Sequence, residues 1–159
     1  MSKQIPLTQG KFAIVDDEDY KWLSQWKWHT RIYEKTWYAL RQVDKMPMHR
    51  FILGLDKYDK RHTDHINHLG YDNRRQNLRI CTIAQNQHNQ TPRQTSQSKY
   101  KGVYCDMNRK GKKIWRANLR LKNTRYKYAW YETQNEAALA YNRLALKYFG
   151  PYACLNIIS

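Results

Sequence analysis

Apolar and polar positions alternate along this chain in short runs that switch repeatedly between strand and helix periods. Residues 11–15, KFAIV, predict a strand, and the acidic run Asp16-Asp17-Glu18-Asp19 suits a helix N-terminus, where carboxylates meet the positive end of the macrodipole. Tyr20, Leu23 and Trp26 follow at i, i+3 and i+6, one face of a short helix. β-Branched and aromatic runs at 28–33 and 36–43, separated by Glu34-Lys35, predict a hairpin. Trp22, Trp26, Trp28 and Trp37 are expected core material, so this stretch reads as a scaffold whose basic residues remain within reach of a phosphate backbone.

Residues 64–90 carry the candidate chemistry. Asp64-His65-Ile66-Asn67 ends an extended segment, a loop rich in Asn, Gly and Asp follows, and Thr82 with Gln85 forms a capping-box pattern. A helix should therefore open at Thr82, carry Asn86 in its second turn and stop at Thr91-Pro92. Strand, loop and helix can bring a carboxylate, an imidazole and an amide oxygen together. Phosphodiester hydrolysis needs an activated water, a base and positive charge on the phosphoryl oxygens. His65 can act as the base, since an imidazole titrates near ~6.5. The hard oxygens of Asp64 and Asn86 suit Mg²⁺, which takes few protein ligands and keeps its waters. Alternate residues of a strand face opposite ways, so the loop must bend at Asp64-His65. Asn77 is the expected brace, acting through its amide on the loop backbone. Asn89, one turn past Asn86, is an alternative ligand, and Arg74, Arg75 and Arg79 are expected at the DNA backbone.

Farther on, three extended runs are readable at 100–105, 114–121 and 126–131, separated by the turn-forming stretches 108–112 and 122–124. Trp115, Ala117, Leu119 and Leu121 alternate with Ile114, Arg116, Asn118 and Arg120, giving one apolar and one cationic face. Thr133 and Glu136 make a second capping box, and Ala137, Tyr141, Leu144 and Tyr148 form a helical stripe that Gly150-Pro151 ends. That stripe should cover the apolar face and leave the cationic face for a DNA groove.

Charge sharpens this division. The 159 residues carry 29 Lys+Arg against 13 Asp+Glu, a net charge of +16, which points to a polyanionic partner. Residues 1–92 hold 15 basic and 10 acidic side chains, and residues 93–159 hold 14 and 3, so most of the field lies in the C-terminal part. The stretch 91–98, TPRQTSQS, reads as a linker. No apolar run approaches the roughly 20 residues of a membrane span, and a soluble protein of the cytoplasm is expected. Cys81, Cys105 and Cys154 lie far apart without a Cys-x-x-Cys pair, which argues against a disulfide framework or a zinc knuckle.

The run DHINHLGYDNRRQNLR followed by TIAQN resembles the HNH nuclease motif in its homing-endonuclease form, commonly encoded by phages and mobile introns. The resemblance covers about residues 48–90. It implies a ββα-metal finger in which Asp64 and Asn86 ligate one divalent ion, Mg²⁺ or Mn²⁺, His65 activates water and Asn77 is the structural Asn. His68 departs from it, standing where many relatives have Gly; it bears on the loop conformation and is a rival imidazole. Residues 98–156 resemble the Apetala-type or ethylene-response-factor DNA-binding domain through YKGVY at 100–104, WRANLR at 115–120, Thr133-x-x-Glu136-Ala137-Ala138 and the 150–156 segment. By position in that domain, Tyr104, Asn118, Arg120, Tyr126 and Tyr128 would face the major groove. Lys101, Lys112, Lys113 and Arg116 are expected at phosphates.

The expected class is α+β: a mixed scaffold (1–47) with an HNH finger (48–90), then a three-stranded antiparallel sheet packed on one helix (93–159). The expected activity is metal-dependent hydrolysis of duplex DNA to 5′-phosphate and 3′-hydroxyl ends by a monomer or homodimer, in the cytoplasm of a bacterial host. A non-catalytic DNA-binding regulator and an RNA-binding protein are the alternatives.

Overall fold

The computed structural model describes residues 1–33, 36–92, 98–121 and 124–158, the side chains of 124–129 apart. The expected turns at Glu34-Lys35 and 122–123, most of the linker, and the side chains of Tyr126 and Tyr128 lie outside the described residues. Two compact units divide the chain, Met1–Asn86 and Gln87–Ser159, a boundary a few residues before Pro92.

In the first unit, β1 (Ser2–Pro6) pairs antiparallel with β2 (Phe12–Asp16), and α1 (Asp17–Leu23) opens with the three acids Asp17, Glu18 and Asp19 in its first turn. β1 has no apolar alternation, only Ile5 buried among polar neighbours; its pairing with β2 makes it a strand. The predicted hairpin is present as β3 (Trp28–Tyr33) and β4 (Thr36–Arg41), with Trp28 opposite Arg41 and Arg31 opposite Tyr38. α2 (Met48–Ile52) follows, then β5 (His62–His65) antiparallel to β6 (Leu78–Cys81), then α3 (Ile83–Asn89).

The core gathers Ile5, Ala13, Val15, Leu23, Trp28, Ala39, Met48, Ile52 and Leu78, one or two residues from nearly every element. Trp26 is not among them. α1 ends at Leu23, which leaves Trp26 41% exposed with the Arg41 guanidinium 4.6 Å above its ring.

The second unit holds β7 (Val103–Met107), β8 (Lys113–Leu121) and β9 (Thr124–Tyr131) in one antiparallel sheet with β8 central, and α4 (Gln134–Phe149). Ala117 and Leu119 of β8 meet Tyr141, Leu144 and Ala145 of α4 in a common core. Thr133 and Glu136 form the predicted capping box. The buried stripe runs Ala137, Tyr141, Leu144, Ala145, Phe149, so Tyr148 is exposed and Phe149 takes the place expected for it. Gly102 has φ +69, and a Cβ there would collide with the Tyr141 ring, so only glycine lets the sheet approach the helix here.

Candidate active site

β5 ends on the two residues of interest. Asp64 lies opposite Arg79 and His65 opposite Leu78, and both Asp64 and His65 are 7% exposed. Their side chains meet different partners, as strand alternation requires. Asp64 Oδ2 accepts from Arg79 Nε and Nη2 at 2.9 and 2.5 Å. His65 packs edge-on against Tyr38 and His49, with ring centroids 5.7 and 4.9 Å away, and its Nε2 lies 3.4 Å from Asn73 Oδ1. Asn73 Nδ2 donates to the Tyr71 carbonyl, which turns Asn73 Oδ1 toward the imidazole. Asn73 Oδ1 accepts from His65 in the tautomer that carries its proton on Nε2. Burial pushes the His65 pKa below its ordinary value, partly opposed by Asn73 and by the charges of Asp64 and Asp72. That direction favours the uncharged ring, the form a base requires.

The bend after His65 is held from within. Asn77 Oδ1 accepts from the Asn67 backbone N–H at 3.0 Å, while Asn77 Nδ2 donates to Asn67 Oδ1 and to the Asp72 carbonyl at 2.9 and 2.7 Å. Asn67 Nδ2 in turn donates to Asp72 Oδ2. His68 has φ +65, the left-handed region that glycine fills most easily. The loop is also tied to the scaffold: Ile14 N donates to Tyr71 O, Asn73 N donates to Ile14 O, and Arg75 binds Asp16 through its backbone and Asp19 through its guanidinium. Asp72 and Asn73, 2% exposed or less, were not singled out in the sequence, and the equally buried Asp19 was read only as part of an acidic helix start. An acid two residues before the first of the predicted arginines was the available signal for Asp72.

The arginines flanking this loop are engaged internally. Arg74 pairs with Asp72, Arg75 with Asp19, and Arg79 with Asp64, the last with only 14% of its side chain exposed. Asn86 sits on α3, whose start is fixed by the reciprocal Thr82–Gln85 capping bonds. Among the described residues, no group of three or more His, Cys, Asp or Glu is arranged to hold a metal ion. A buried carboxylate and an amide oxygen are still chemically suited to Mg²⁺, which completes its shell with water and substrate phosphate.

Against this geometry, a comparison with curated proteins is decisive. Over 155 residues the chain is 30% identical to an uncharacterized HNH endonuclease of Acanthamoeba polyphaga mimivirus, covering 94% of this chain and 77% of that protein. The chain belongs to the HNH endonuclease family. No family model matches it, and no solved structure does. Among its described residues no helix is long and apolar enough to cross a membrane.

The second unit of this family member displays most of its expected contact residues. Tyr104, opposite Arg116, is 48% exposed, and Lys112, Lys113 and Arg120 are exposed with Asn118 half-buried. Arg116 also faces Trp130, whose ring lies 5.2 Å from its guanidinium and is 51% exposed. Trp130 is a further surface aromatic that was not singled out in the sequence. Lys101 differs from expectation: its ammonium turns inward to the carbonyls of His88 and Gln90, and burial lowers its pKa. It serves the packing of its own unit, beside His88 stacked on Phe149 at 3.6 Å.

Proposed function

We propose that this chain is a divalent-metal-dependent endonuclease of the homing type, hydrolysing phosphodiester bonds of duplex DNA to 5′-phosphate and 3′-hydroxyl ends. The observation that carries this reading is His65: buried, in contact with Asn73 and set at the mouth of a loop that Asn77 braces. In it, β5, β6 and α3 form the ββα-metal finger. Asp64 and Asn86 would hold the ion, which when bound supplies positive charge to the phosphoryl and leaving oxygens. His65 accepts a proton from the attacking water, and Asn73 helps to orient its ring. Asn77 acts on the reaction only through the loop it holds.

The second unit serves to bind DNA in this reading. A three-stranded sheet covered on one face by a single helix, with Tyr104, Arg116 and Arg120 on the other, supports the Apetala-type resemblance and a groove-facing role. Lys112 and Lys113 are placed to meet phosphates, which supply affinity and salt dependence rather than sequence choice.

Supercoiled plasmid incubated with the purified protein and Mg²⁺ tests this directly. Relaxation or linearisation that stops with EDTA and in His65→Ala is expected. Plasmid that is shifted in a gel but left intact by the wild-type protein in Mg²⁺ and in Mn²⁺ would refute it.

A further inference from the structure

The β3–β4 hairpin has one face in the core and one that turns toward His65. Register and alternation place Trp28, Ala39 and Trp37 on the first face, in contact with the core. Arg31, Tyr33, Tyr38 and Leu40 share the second. Together with Pro47 and His49 these four line an open cavity of about 290 Å³. Tyr38 and His49 are the same two rings that touch His65, so the cavity opens beside the general base.

Its chemistry is distinctive for this molecule. Tyr33 is 61% exposed, opposite Thr36 in the hairpin. Arg31 is exposed and, among the described residues, has no carboxylate partner, in contrast to Arg41, Arg61, Arg74, Arg75 and Arg79. The hairpin is also fixed to the active-site loop: Gly70 N donates to Thr36 Oγ1 at 2.8 Å, and a Cβ on Gly70 would come within 2.5 Å of the Tyr38 ring. The cavity and the catalytic loop are therefore positioned as one body, as a substrate subsite needs.

Resting on the nuclease reading of His65, we propose that this hairpin face is a subsite for one nucleotide of the cleaved strand, next to the scissile phosphate. Its base leaves the stack to lie against Tyr33 and Tyr38, and Arg31 binds the adjoining phosphate. Aromatic rings accept any base by stacking, and a guanidinium grips phosphate bidentately. The site thus contributes affinity and strand placement without choosing a sequence.

Photo-cross-linking of the full chain to mixed-sequence duplex DNA carrying 5-iododeoxyuridine tests the proposal in EDTA, where no cleavage is needed. Cross-links mapped by mass spectrometry to Tyr33 or Tyr38 are expected. Tyr33→Ala and Arg31→Gln, both at exposed positions, should each lower the yield at the hairpin on the order of tenfold while cross-links in the second unit persist. Cross-links confined to residues outside the hairpin, or an undiminished hairpin yield in both variants, would overturn it. Hairpin cross-links from a protein that never cuts plasmid would retain nucleotide binding at the hairpin and remove the catalytic reading. Cutting without such cross-links would do the reverse.

Discussion

Acidification should destabilise this protein through one histidine before its carboxylates are fully titrated, and replacing His49 by Gln should remove that part of the loss. Burial, followed by the neighbouring charges of His65 and Arg50, takes the His49 pKa from 6.5 to about 3. In the unfolded chain the same ring titrates at its ordinary value. Above that value neither state binds the proton, and the full stability is present. As pH falls through it, only the unfolded state takes the proton, so stability is lost continuously until the folded ring titrates near 3. The loss is about 1.4 kcal/mol per pH unit, hence about 2 kcal/mol by about pH 5. Urea unfolding of the wild-type chain and His49→Gln at about pH 7.5 and about pH 5, followed by fluorescence, measures it. Trp22, Trp26, Trp28 and Trp37 all report on the first unit. The carboxylates contribute equally to both proteins and cancel in the comparison. The wild type should lose about 2 kcal/mol more than the variant across that interval. Equal losses would show that His49 is not held neutral by its surroundings, and the account of the packed His49–His65 pair would fail.

Other outcomes follow from the same geometry. Arg79→Met leaves the buried Asp64 carboxylate without its guanidinium and should cost about 3–5 kcal/mol; millimolar Mg²⁺ should restore more thermal stability to this variant than to the wild type, and equal responses would argue against Asp64 as a metal ligand. Asn77→Ala strips the Asn67 N–H and the Asp72 carbonyl of their partners, at about 1–3 kcal/mol for each group left unpaired; a denaturation midpoint unchanged by the substitution would contradict the bracing role. Because the His65 pKa is lowered by burial, the cleavage rate should stay level as pH falls from neutrality toward 6.5 and decline only below it; a decline beginning above pH 7 would mean the base is not this buried ring.

The parts of the fold legible in the sequence are those where local chemistry and tertiary contact agree. Thr82–Gln85 and Thr133–Glu136 announced their helices because a capping box satisfies backbone donors from within a few residues. The β8 alternation was readable because one face is buried under α4. β1 was invisible, since Ser2–Pro6 owes its extended form to pairing with β2 and not to its own pattern. At the candidate site, Asp64, His65 and Asn77 stood out by their types and spacing, and the hydrogen bonds of Asn77 act on the loop backbone as a brace would. The partners of the arginines were not. Asp19 precedes Arg75 by 56 positions, and nothing local marks it as the residue that will neutralise that guanidinium. Tyr38 and His49 belong to segments read as scaffold and reach His65 only through the folded chain.

The straps from Ile14, Asp16 and Asp19 to residues 71–75 limit how this enzyme could be cut down or transplanted. A minimal cassette starting near residue 48 would keep Asp64, His65, Asn77 and Asn86 but discard both the hairpin beside His65 and the anchors that hold the loop in shape. Grafted onto another DNA reader, such a fragment should fold poorly, whereas a module beginning at the first strand would travel intact.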